Sequence, residues 1–249
     1  KRMGGSAVEP ENYGISNGRE EALKHSLERA KQDSVGLVIL GGDMINFPSA
    51  ASVDSLLKIM NGSGLDWAYI SGNHDWHYEG EPGQATEQRE KWEHSVLKPL
   101  YQGANPLCYA RTVQGINFLF IDDSTNEITE EQLAFLQEEI KKGMPIVLSM
   151  HIPVYLPGQN IDYGCGNPDW NKAHDIYYEI ERRAPWPAEG HTSTTYRFRD
   201  IVVNEPLIIG IFAGHTHEEK VDFFADKIQY VAGANYNGSD VILRFQPLR

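Results

Sequence analysis

The sequence predicts an α/β fold in which helices cover sheets, and two patterns predict it. Short apolar runs of strand type alternate with amphipathic helical segments, then give way to neighbouring short strands near the end of the chain. Polar clusters stand directly after those runs, at Asp43, Asn73-His74, His151 and His215-Thr216-His217. In open α/β sheets the carboxyl ends of the strands are where ligands bind.

Along the chain, Leu23, Leu27 and Ala30 recur at helical spacing and predict a helix over 18–32, capped by Ser16 or Asn17. The apolar run 35–40 between Asp33-Ser34 and Gly41-Gly42 reads as a buried strand. A helix over 52–60 and a strand over 67–70 follow, and 87–101 is helical in composition. Segments 107–111 and 116–121 form a strand pair turned at Gln114-Gly115. Thr129 and Gln132 make a capping box for a helix whose apolar face is Leu133, Leu136 and Ile140, closed by Gly143. Another strand spans 145–150 and ends at His151. From 153 to 205 the chain is rich in Pro, Gly, Asn, Trp and Tyr, with one helix expected near 173–182. Strands return at 207–212, around Val221, at 228–231 and at 241–245.

Composition narrows the chemistry. With 22 basic and 35 acidic residues the net charge is −13, which argues against a broad nucleic-acid footprint. A small anionic substrate stays compatible, because bound cations dominate the charge of a site. No run reaches the eighteen or so apolar residues of a membrane helix, and Lys1 to Ser6 is not followed by a signal-type apolar segment. The reading is of a soluble chain, cytoplasmic or exported with its signal already absent. Cys108 and Cys165 are too few for a disulfide framework and read as two unrelated thiols.

Asp43, Asn73, His151, His215 and His217 offer the mixed oxygen and nitrogen donors that suit Zn, Mn, Fe or Co. A lone histidine is ordinarily a surface or satisfied core residue, and His25, His77 and His94 are read that way. Position after an apolar strand reverses the preference for the other three.

Gly42-Asp43-Met44-Ile45-Asn46, Gly72-Asn73-His74-Asp75, His151-Ile152-Pro153 and Gly214-His215-Thr216-His217 resemble the successive signatures of calcineurin-like metallophosphoesterases. They fall in the family's order. The Asp122-Asp123-Ser124 turn and the helix after Thr129 resemble its purple acid phosphatase-like and cyclic-nucleotide phosphodiesterase-like branch. The resemblance implies a four-layer α/β/β/α sandwich in a single domain over 1–249, with a substrate-side insertion at about 153–205. It implies two divalent or trivalent transition metal ions (Mn, Fe, Zn or Co) and hydrolysis of a phosphomonoester or small phosphodiester by a metal-bridging hydroxide.

By motif, Asp43 would bridge both metals, Asn73, His151 and His215 would complete one, and His217 would bind the other. His74 would act on the substrate as acid or phosphoryl clamp, with Asp75 orienting its imidazole. Asn73 and Asn46 would also face the substrate. The family opens with a strand ending in Asp-x-His. None precedes Asp43 here, so that strand is expected ahead of Lys1. Tyr155, Tyr163, Trp170, His174, Trp186 and His191 are either pocket lining or aromatic packing under a long loop. The rival class is a non-catalytic scaffold of this fold that binds a protein partner, as one retromer subunit does. The missing Asp-x-His favours it, and intact Asn73-His74-Asp75 and His215-Thr216-His217 oppose it.

Overall fold

Residues 16–78, 81–156, 158, 164–169 and 190–246 are described in a computed structural model. The helix expected near 173–182, and Tyr163, Trp170, His174 and Trp186, lie outside the described residues. The elements run α1 (Ser16–Gln32), β1 (Val38–Leu40), α2 (Ala50–Ser63), β2 (Trp67–Tyr69), α3 (Asn73–Trp76), α4 (Ala85–Glu93), β3 (Cys108–Val113) and β4 (Ile116–Ile121). There follow α5 (Glu130–Lys141), β5 (Ile146–Ser149), α6 (Ser193–Asn204), β6 (Ile208–Ala213), β7 (Lys220–Phe224) and β8 (Lys227–Val231).

Two sheets form. One is the parallel pair β1–β2, and the other has the order β3-β4-β5-β6-β8-β7. Its inner strands β4, β5, β6 and β8 are parallel, and β3 and β7 are antiparallel edges. Alternation along the strands builds the layers, because successive side chains point to opposite faces. Trp67 and Tyr69 join Leu27, Val53, Leu56, Met60, Leu97 and Leu100 in the core between the first sheet and its helices. Ala68 and Ile70 turn the other way and pack with Phe118, Phe120 and Val147 between the sheets. Leu119, Ile121, Leu148 and Ile211 pack outward with Leu133, Leu136, Phe198 and Val202 of α5 and α6. The result is the expected α/β/β/α order of layers.

A two-stranded sheet leaves its edges open, and side chains close one of them. Tyr109 takes both backbone groups of Tyr69, accepting its N–H at 3.1 Å and donating to its carbonyl at 2.7 Å. Arg111 and Gln102 both donate to the Trp67 carbonyl, at 2.6 and 2.9 Å. The Gln114-Gly115 turn forms as expected, with both φ angles positive as a two-residue hairpin of this twist requires.

Several boundaries and one element differ from expectation. The segment 87–101 is not one helix: α4 stops at Glu93 and a short 3₁₀ turn covers Lys98–Tyr101. Pro99 lacks the N–H a continuous helix would need there. Ser16 and Asn17 lie inside α1 rather than capping it, and α2 reaches back to the cap Ser49. The strand expected at 241–245 forms no ladder, although Phe245 packs edge-on to Phe118 at 6.0 Å. The largest difference is α6, a full helix where loop was expected. It removes 193–204 from the substrate-side insertion and gives it to the core. Cys108 and Cys165 are both buried and free, so no bridge joins them.

The capping box at α5 forms as predicted: Thr129 accepts from Gln132 N at 3.2 Å, and Gln132 Oε1 accepts from Thr129 N at 2.9 Å. Gln132 is also fully buried and donates to the Leu107 and Asp122 carbonyls. Thr129→Ala should therefore cost about 1 kcal/mol. Gln132→Ala, which strands buried acceptors as well, should cost about 2–3 kcal/mol. Urea denaturation of both variants checks the order.

Candidate metal centre

The ends of five strands deliver the site. Asp43 follows β1, Asn73 to Asp75 open the short α3 after β2, Asp123 follows β4, His151 follows β5 and His215 follows β6. One ligating atom each from Asp43, His151 and His215 falls within 4.8 Å of the others. His151 Nε2 lies 3.3 Å from Asp43 Oδ2 and 3.2 Å from His215 Nδ1.

The His151 tautomer follows from its neighbour. Its Nδ1 is 2.8 Å from the Gly41 carbonyl, which can only accept. Nδ1 therefore carries a proton, which leaves Nε2, the atom facing Asp43 and His215, as the nitrogen able to ligate. This arrangement, in which the second ring nitrogen is fixed by a backbone carbonyl, is how ligating histidines are oriented.

Three residues at or beside the centre have left-handed backbone. Asp43 (φ 54°) and His215 (φ 68°) adopt left-handed conformations outside glycine, as does His217 (φ 61°). Such residues persist only where the surroundings hold them, and they cluster at functional sites. Much of that hold comes from Asp75. Its oxygens accept the backbone N–H groups of Asp43 at 2.8 Å, Ile45 at 2.9 Å and Gly72 at 2.8 Å. The Asp75 carboxylate is thus committed to the loop that carries Asp43. His74 is half-buried, and its backbone N–H donates to Asp43 Oδ1 at 2.9 Å.

Electrostatics fit a cation site. Burial opposes ionisation of Asp43, yet the imidazoles of His151, His74 and His215 hold its carboxyl well below the usual range. Burial opposes charge on His151 too, but Asp43 beside it pushes its pKa up to about 9. Asn73 adds a fourth donor of the right kind: it is 1% exposed, and neither its Oδ1 nor its Nδ2 has a hydrogen-bond partner. A buried amide left unpaired costs about 1–3 kcal/mol unless something meets it. The three donors Asp43, His151 and His215 therefore fit a metal ion in chemistry and in placement, and Asn73 has the chemistry of a further donor.

Other expected residues fall elsewhere. His217 is exposed and outside the group of three, its ring edge-on to Tyr236 at 6.0 Å. Asn46 is half-buried on the loop after Asp43. His191 is buried against Glu127 Oε1 (3.2 Å) and the Gly164 carbonyl (2.8 Å). Tyr155 is half-buried with the Arg199 guanidinium 5.6 Å above its ring. Asp123 is a buried residue at the centre to which sequence reasoning gave no role beyond the turn that holds it. Its signals were its place directly after a strand and the family-like turn Asp122-Asp123-Ser124.

Among the described residues no helix is long and apolar enough to cross a membrane. Comparison with solved structures gives fold neighbours of low identity. A dimetal phosphatase from Danio rerio aligns with a TM-score of 0.58 at 12% identity, over 87% of this chain and 78% of that one. A 5'-nucleotidase assigned in Staphylococcus aureus aligns with a TM-score of 0.48 at 14% identity, over 86% of this chain and 43% of its own. The Plasmodium inner-membrane-complex anchor GAP50 aligns with a TM-score of 0.48 at 14% identity, over 88% and 67%. No match was found among curated protein sequences. The family profile described as calcineurin-like phosphoesterase matches residues 15–219, and the chain belongs to that family.

Proposed function

We propose that this protein hydrolyses a phosphate ester, a phosphomonoester or a small phosphodiester, at a transition-metal centre held by Asp43, Asn73, His151 and His215. The observation that carries the reading is the convergence of Asp43, His151 and His215 within 4.8 Å, supported by the buried, unpaired amide of Asn73, the residue before His74, whose N–H meets Asp43. When bound, such ions lower the pKa of water and stabilise the oxygens of an in-line displacement.

The chain supplies the rest. His151 presents Nε2 because Gly41 holds its other nitrogen. Asp75 clamps the Asp43 loop so that the carboxylate stays aimed at the two imidazoles. His74, anchored through its backbone to Asp43, would bind the phosphoryl oxygens or protonate the leaving group. In this reading His217 belongs to a second metal position, apart from the group of three, and the family's two-metal chemistry requires further ligands there.

Metal content and turnover test the proposal together. The protein supplied with Mn, Zn, Co or Fe should hydrolyse an activated aryl phosphate, and exhaustive chelation should abolish it. His74→Ala should keep its metal and slow turnover by about 10²–10⁴-fold, the usual worth of acid–base help. Activity untouched by chelation would overturn the metal reading, and loss of metal in His74→Ala would overturn the role given to His74.

A further inference from the structure

We propose that Asp123 is a positioning residue for His151, aiming its imidazole through the two backbone N–H groups at positions 151 and 152. This rests on the metal reading of the centre.

The ladder between β5 and β6 ends where Met150 N donates to the Phe212 carbonyl at 2.9 Å. Beyond it, the N–H groups of His151 and Ile152 have no strand to meet. Both are buried, and an unmet backbone donor there is costly. Asp123 reaches across from the end of β4 and accepts both with one oxygen, from His151 at 2.9 Å and from Ile152 at 3.1 Å. On the other side the His151 carbonyl accepts from Gly214 N at 2.9 Å. The backbone of His151 is thus held between β4 and β6, and its ring is pinned by Gly41. With backbone and Nδ1 fixed, Nε2 has one direction left.

Asp123 is fully buried and faces His151, whereas Asp122 beside it takes the Arg89 cation, its Oδ2 lying 3.3 Å from Arg89 Nη1. Asp122 also caps its own turn, accepting from Ser124 N at 2.8 Å. The two adjacent carboxylates are therefore divided in function, one serving the fold and one serving His151. In its ionised form, a carboxylate behind the backbone of a ligating histidine also adds negative charge next to the cation position. Partners behind metal ligands are typically worth about 10–100-fold in metal affinity.

The test compares the unaltered protein, Asp123→Asn and Asp123→Glu by zinc calorimetry, with circular dichroism to confirm folding and proton–nitrogen NMR of the His151 ring without metal. Asp123→Asn keeps an acceptor oxygen but removes the charge, and Asp123→Glu keeps the charge but displaces it. The expected result is a folded Asp123→Asn whose zinc affinity is lower by about 10–100-fold, with a moved or broadened His151 Nδ1–H signal. If Asp123→Asn does not fold, the same two readings of Asp123→Glu decide. Zinc affinity and ring signal both equal to the unaltered protein would overturn the proposal and leave Asp123 a structural acceptor. Failure of the unaltered protein to take up zinc, or any of the metals above, would count against the metal reading instead. The metal-free ring signal then decides the positioning role by itself.

Discussion

Exchange of His151 for alanine is expected to lower zinc or manganese affinity by more than about 100-fold, since a lost ligand must cost more than a lost partner behind a ligand. Hydrolysis of an aryl phosphate should fall below detection in the same variant. His151 is the residue most fully committed to the centre. It is 1% exposed, its Nδ1 is held by Gly41 and its Nε2 lies between Asp43 Oδ2 at 3.3 Å and His215 Nδ1 at 3.2 Å. Removing the ring also strands the Gly41 carbonyl, so the metal-free variant should lose about 1–3 kcal/mol of stability. His217→Ala is the contrast. That ring is exposed and outside the group, so zinc affinity at the first centre should change little. Calorimetry on both variants is the measurement. Equal losses at His151 and His217 would mean that the three-residue group is not the tight site.

The sequence marked the strand ends well because each is an apolar run broken by a polar residue with metal-binding chemistry. Asp43, Asn73, His151 and His215 were legible on those grounds, and the family motifs gave their order. What stayed hidden was long-range. Asp75 binds N–H groups at positions 43 and 45, and Asp123 binds those at 151 and 152, some thirty residues away in each case. No local spacing encodes such a contact. The helix α6 escaped for a different reason. Its sequence opens Ser-Thr-Thr and holds Ile-Val-Val near its end, β-branched and hydroxyl residues of weak helix propensity. Two features outweigh them: the cap Thr192, accepting from Thr195 N at 3.2 Å, and the burial of Phe198 and Val202 against the second sheet. The i, i+4 spacing of Phe198 and Val202 was the available signal, and the turn-rich residues before it masked it.

Gly42→Ala is expected to destabilise the protein by about 2–5 kcal/mol, adding left-handed strain to overpacking. Gly42 sits at φ +93°, where an L side chain is strained whatever the space. There is also no space. An added Cβ would stand 2.5 Å from His151 Nδ1 and 2.6 Å from Gly72 N, and neither can retreat. Gly72 N is bound to Asp75, and His151 Nδ1 to Gly41. The two loops that carry Asp43 and Asn73 thus pass at backbone distance. Gly72 answers Gly42 from the other side, its own added Cβ meeting Asp43 Oδ1 at 2.1 Å. Because folded domains hold only about 5–15 kcal/mol in reserve, Gly42→Ala should approach the limit of folding. Any folded fraction should bind metal poorly, since the intruding methyl displaces the His151 ring. Gly62→Ala provides the opposite sign in the same protein. That glycine lies within α2, and an added Cβ there meets nothing within 4 Å. Helix propensity alone should then stabilise the chain by up to about 1 kcal/mol. Urea denaturation of the two variants, followed by zinc calorimetry on whichever folds, measures both effects. A Gly42→Ala protein as stable as the parent would mean that the loops of β1 and β2 do not meet at the distance on which the placement of Asp43 beside His151 depends.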